Sequence, residues 1–71
     1  MCQMTIVLEE EDGRTQTVLE NASFLEAGDN AVTVGALFEE PKVVAGARVK
    51  RIDFMEGRVT LAPADPSGLD Q

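Results

Sequence analysis

Turn signals recur along this chain at short, regular intervals. Asp12-Gly13, Gly28-Asp29, Gly46 and Glu56-Gly57 are spaced about 10–18 residues apart. Between them lie short runs rich in Val, Ile, Thr and Phe, a pattern that favours strands over helices. Met4, Ile6 and Leu8 alternate with Thr5 and Val7 in period two. Thr15 to Leu19 reads as the returning strand of a hairpin, with Asp12-Gly13 supplying the positive φ angles of a tight turn. Ala22 to Ala27, Ala31 to Phe38, Lys42 to Ala45, Val49 to Phe54 and Arg58 to Leu61 read as further strands. Pro41 has no N–H to donate and breaks the ladder before Lys42, while Gly46 marks a bend or bulge. A helix over Val18 to Ala27 is disfavoured. Leu19, Ala22, Phe24 and Leu25 hold no 3.6-residue period, and Asn21 and Ser23 are poor interior helix residues. The expected fold is all-β: a small SH3-like barrel or rolled sheet of six to seven short strands. Phe24, Phe38 and Phe54 sit within apolar runs and are expected in its core.

Length and composition set the scale. The 71 residues make one small domain, expected over residues 1–62. Residues 63–71 are crowded with Pro, Asp, Ser and Gly and read as a flexible C-terminal tail. Apolar residues are 44% of the chain, enough to fold. A domain of this size nevertheless buries only ~60% of the surface its unfolded chain exposes. That shortage favours a homodimer, with the strand carrying Met4, Ile6 and Leu8 as the expected contributor to its interface. With no apolar run of ~20 residues, no membrane span is expected. The N-terminus lacks a basic stretch, so no signal peptide is expected. A single free Cys fits a cytoplasmic location.

The residue inventory excludes several chemistries. Without His, neither a Ser–His–Asp triad nor a Cys–His pair is available. One Cys without His cannot close a single-chain zinc site or an intrachain disulfide. Thirteen acidic side chains against six basic ones give a net charge of -7, which opposes a nucleic-acid surface. The acids Glu9 to Asp12 lack the alternate-ligand spacing of a calcium loop and read as a solvated surface, as do Glu39-Glu40. Asp53 is expected to be exposed or tied to Arg51 or Arg58. No spacing selects a carboxylate pair for acid–base work, so the expectation is not an enzyme. Arg48, Lys50, Arg51 and Arg58 form a local basic patch, the basis of an alternative reading as a small nucleic-acid-binding β module. The overall acidic field weighs against it.

Cys2 is the residue with distinctive chemistry. A lone cytosolic Cys is most often a small buried hydrophobe, but this one precedes the first strand. If Met1 is removed, the terminal amine and thiolate close a five-membered chelate ring. If Met1 stays, the Cys2 amide nitrogen and thiolate offer a similar bite. Either pair fills half of a four-coordinate site, and a second chain across a two-fold axis completes an N2S2 set. Planar strong-field N/S donors suit Ni(II) or Cu(II), and a tetrahedral arrangement suits zinc.

Met1-Cys2 opening an alternating strand that ends at Leu8, the acidic Asp12-Gly13 hairpin, Gly46 with Val49, Ile52-Asp53-Phe54, and Gly57, Val59 and Leu61 together resemble the CooT family. These are small nickel-binding proteins linked to maturation of carbon monoxide dehydrogenase, some described generically as RNA-binding. The similarity covers about residues 1–62. It implies an SH3-like β fold, a homodimer, and one Ni(II) held between chains by two copies of Cys2 with backbone nitrogen at Met1 or Cys2. It also implies a nickel-enzyme maturation partner. The expectation is therefore a cytoplasmic Ni(II) chaperone or store, with no nucleic-acid or membrane partner.

Overall fold

A computed structural model describes residues 4–64. These form six strands and no helix: β1 (Met4–Glu9), β2 (Thr15–Ala27), β3 (Ala31–Ala36), β4 (Lys42–Ala45), β5 (Ala47–Asp53) and β6 (Arg58–Pro63). One mixed sheet runs in the order β4-β3-β2-β1-β6-β5. Neighbours pair antiparallel except β1 and β6, which run parallel with Ile6 beside Val59 and Leu8 beside Leu61.

The connection between β4 and β5 explains the curvature. These are the two outermost strands, yet Gly46 alone joins them. So short a link requires the sheet to roll until its edges meet at that point. Gly46 takes φ 69°, open to glycine without the Cβ clash that penalises other residues. Its N–H donates to the Asn30 carbonyl (2.6 Å), and its carbonyl accepts from the Ala64 N–H (2.7 Å). The sheet is rolled and not closed.

Two sequence expectations change in detail. Thr15 to Leu19 and Ala22 to Ala27 are one strand, β2, rather than two. Met4 faces Ala22 while Ile6 faces Leu19, so β2 holds one residue more than β1 over this span. That is a β-bulge, and Asn21 within it takes the left-handed conformation at φ 61°. Above the bulge β2 pairs with β1; from Ala22 onward it pairs with β3. The Asp12-Gly13 hairpin also closes through a longer loop than the two-residue turn expected. The Gly13 N–H donates to the Glu10 carbonyl (2.9 Å), the Glu10 N–H to the Arg14 carbonyl (2.6 Å), and only Gly13 takes positive φ.

The core lies inside the roll. Ile6, Leu19, Val32, Val34, Val59 and Leu61 are buried, with Ala22 and Ala47. Their alternation along β1, β3 and β6 is the period-two pattern of the sequence, with one face inward. No buried side-chain polar atom among the described residues lacks a hydrogen-bond partner.

The three Phe residues depart from expectation. Phe38 is fully exposed, Phe54 largely so and Phe24 about half so. Small and β-branched residues fill the tight interior instead. Two of the three rings lie at a surface feature described next.

Candidate functional site

Beside Met4, the first described residue of β1, the two neighbouring elements of the sheet run on. Ala22 to Leu25 of β2 continue on one side and the β5–β6 turn on the other. The space between them is an apolar groove of about 690 Å³. Met4 and the buried side chains of Ile6 and Val59 contribute to its lining, and Phe24, Ile52, Phe54 and Met55 form its exposed walls.

Local chemistry sets both walls. Phe24 pairs across the sheet with Gly35, and its ring lies where a Gly35 side chain would stand. The absence of a Cβ lets the ring lie against the backbone. On the other wall, the Asp53 carboxylate organises the turn. Its Oδ1 accepts from the N–H groups of Met55 and Glu56 (3.0 Å each), an Asx-type turn that Gly57 completes at φ 70°. The Gly57 N–H donates to the Asp53 carbonyl (2.9 Å), and the Thr5 N–H donates to the Gly57 carbonyl (2.8 Å). The turn is thereby fixed to β1 and presents Phe54 and Met55 outward.

The expected tie between Asp53 and an arginine is present: Arg51 Nη2 donates to Oδ2 (3.3 Å). The basic patch is otherwise largely offset. Lys50 pairs with Glu9 (2.6 Å), Arg51 with Asp53 and Arg58 with Glu56 (2.6 Å). The exposed Phe54 does not add a stacking platform to a free cationic stripe, because three of the four cations already face carboxylates. Glu9 and Asp12, two of the contiguous acids, bond Lys50 and Arg14 in turn. No group of three His, Cys, Asp or Glu side chains among the described residues is arranged to hold a metal ion.

Cys2 and Met1 lie outside the described residues. Sequence reasoning placed chemistry at Cys2 and missed the groove lined by Met4, Phe24, Phe54 and Met55. The available signal was Phe54-Met55 running directly into the Glu56-Gly57 turn, where large apolar side chains have no strand to bury them.

The family model for the CO dehydrogenase accessory protein CooT matches residues 1–62. The chain belongs to the CooT family. The strand pattern, Gly46 and the Ile52–Leu61 hairpin that carried the resemblance all lie within the matched span. A solved structure from Carboxydothermus hydrogenoformans, described as a "putative CooT", superposes with a TM-score of 0.74 at 22% identity. The match covers 90% of this chain and 100% of that one. At that identity the likeness establishes the fold, the same rolled sheet. No curated protein matches the chain. Membership in CooT places this chain among accessory proteins of CO dehydrogenase, and no helix of the structure is long and apolar enough to cross a membrane.

Proposed function

We propose that this CooT-family chain carries Ni(II) as cargo, as a chaperone or store for maturation of a nickel enzyme. The metal is held between two copies through Cys2, with backbone nitrogen at Met1 or Cys2 completing the donor set. The observation that carries this reading is the family match to a CO dehydrogenase accessory protein over residues 1–62, a span that includes Cys2. Donor chemistry supports it. Cys2 is the sole thiol, a soft thiolate suited to late divalent metals, whereas two of the clustered acids, Glu9 and Asp12, are engaged with Lys50 and Arg14. A chain with one thiol and no His supplies half a site, so the second half comes from a second chain.

The function is one of binding and delivery. A maturation partner takes the metal from a site built of few ligands, and thiolate coordination releases it as protons compete. The test is a Ni(II) titration of the purified protein beside Cys2→Ser. The expected result is tight binding with a sulfur-to-nickel charge-transfer band in the unaltered protein, and loss of both in Cys2→Ser. Equal affinity in the two proteins overturns the reading.

A further inference from the structure

The β3–β4 turn breaks a conformational rule at an exposed aromatic residue. The Glu39 N–H donates to the Ala36 carbonyl (3.2 Å), closing a turn with Leu37 and Phe38 at its centre. Phe38 takes φ 64°, whereas Leu37 stays out of the left-handed region. That is the pattern of a type II turn, whose third position calls for Gly or Asn. A bulky side chain there is an outlier. Burial would offset the strain, yet Phe38 is 101% exposed and Leu37 64%. Strain held at an exposed ring points to a role for that ring outside the fold.

We propose that this turn is the docking face for the enzyme that the chain serves, with the Phe38 ring entering an apolar pocket rimmed by Lys or Arg. The proposal rests on the maturation reading above and adds to it the surface that meets the partner.

Three observations select that occupant. The first is shape. An aromatic ring projecting from a turn, with Leu37 beside it, fits a concave site, and aromatic anchors that fill pockets carry much of the energy of protein interfaces.

The second is charge. Glu39 and Glu40 follow the ring directly and are exposed. The ion pairs among the described residues engage Glu9, Asp12, Asp53 and Glu56 instead. Two carboxylates left to solvent beside the ring call for cations on the partner. They also weigh against other occupants. A second copy brings the same two acids and its own net charge of -7, and an anionic lipid surface or a nucleic acid repels them.

The third is rigidity. Ala36 pairs with Ala22 before the turn, and Lys42 pairs with Val34 after it. Lys42 Nζ donates to the Val18 carbonyl (3.0 Å), which ties the far side of the loop to β2. Pro41 fixes its own φ and favours an extended Glu40. The ring stands on an ordered support, so docking has little left to order.

The test measures binding to immobilised CO dehydrogenase prepared without nickel, by surface plasmon resonance. It compares the unaltered chain with Phe38→Gly, the double variant Glu39→Lys/Glu40→Lys and the charge-matched control Glu10→Lys/Glu11→Lys. Urea unfolding of Phe38→Gly runs in parallel. The expected result is a loss of affinity of about thirtyfold in Phe38→Gly, while its unfolding midpoint rises because Gly suits the turn. A merely structural role for the ring would lower stability together with affinity. Glu39→Lys/Glu40→Lys should associate about tenfold more slowly, and the control should change far less. Unchanged affinity in Phe38→Gly, a falling midpoint, equal losses in the two charge variants, or no binding by the unaltered chain overturns the proposal. So does Phe38-dependent attachment to neutral phosphatidylcholine vesicles, or a sedimentation mass that depends on Phe38 in the absence of the enzyme.

These outcomes are separable from the nickel reading. Phe38→Gly should take up Ni(II) as the unaltered protein does, and Cys2→Ser should dock as tightly. Docking that survives Phe38→Gly sinks the docking face alone. A chain that docks through Phe38 and takes up no Ni(II) sinks the nickel reading alone.

Discussion

Two non-glycine residues adopt left-handed backbone, and they do so for different reasons. Asn21 absorbs the extra residue of the β2 bulge at φ 61°. Asn tolerates this region because its short polar side chain can bond locally; other L-residues pay roughly 1–2 kcal/mol. Asn21→Ala should therefore lower the stability of the fold by about 1 kcal/mol, and Asn21→Gly should leave it nearly unchanged. Urea unfolding of the two variants checks this. Phe38 takes φ 64° in the β3–β4 loop with a fully exposed ring, so it pays the conformational cost without gaining burial. Phe38→Gly should raise the unfolding midpoint, by the equivalent of about 1 kcal/mol. A drop on that substitution would mean the ring is packed against something. At Gly35 the outcome is local. An added methyl occupies the place of the Phe24 ring, so Gly35→Ala should swing the half-exposed ring away and reshape the groove wall, at a cost of about 1–3 kcal/mol.

At the scale of elements, the parallel contact of β1 with β6 joins the two ends of the described chain, and Ile6 and Leu61 fill it. Leu61→Ala should cost about 2–5 kcal/mol. A single core in a chain this small supplies only some 3–5 kcal/mol, so the variant should be largely unfolded at room temperature, as circular dichroism would show. The surface ion pair Lys50–Glu9 also ties β5 to β1, but both side chains are partly exposed, and its removal should change stability by less than about 1 kcal/mol. Elements of this kind differ in how far they can be read from sequence. Alternation at Met4 to Leu8 and the Gly-bearing turns mark strands locally, and all six strands lie where those signals fall. The fusion of two expected strands into β2 was hidden because Asn21 looks like a terminator. A bulge and a turn use the same residue type, and only the partner strand's register distinguishes them. The exposure of Phe24, Phe38 and Phe54 was hidden for a related reason. Apolar content predicts burial on average, but a rolled sheet this narrow has room inside for Val, Ile and Leu and excludes larger rings. Cys2 stood out in the sequence because its chemistry is intrinsic, while the groove depends on how β2 and the β5–β6 turn come together in the folded sheet.

The described residues form an acidic, half-open roll with an apolar groove lined by Met4, Phe24, Phe54 and Met55. Its charge predicts the absence of appreciable RNA or DNA binding at physiological salt, since the net charge of -7 repels a polyanion and Lys50, Arg51 and Arg58 face carboxylates. Filter binding that reaches micromolar affinity and weakens when Arg48, Lys50, Arg51 and Arg58 are neutralised would reverse that expectation. Metal affinity should fall as pH is lowered, because protons compete with the metal for the thiolate. Cys2→Ser should remove tight binding and leave the β fold, whose described core runs from Ile6 to Leu61. The central claim is that two chains share one metal through Cys2. The most direct measurement is a Ni(II) titration with sedimentation mass followed in parallel, on the unaltered protein and on Cys2→Ser. The account predicts saturation at one Ni(II) per two chains in a species of dimer mass, with no tight binding in Cys2→Ser. Saturation at one Ni(II) per chain in a monomer, or undiminished affinity in Cys2→Ser, would contradict it.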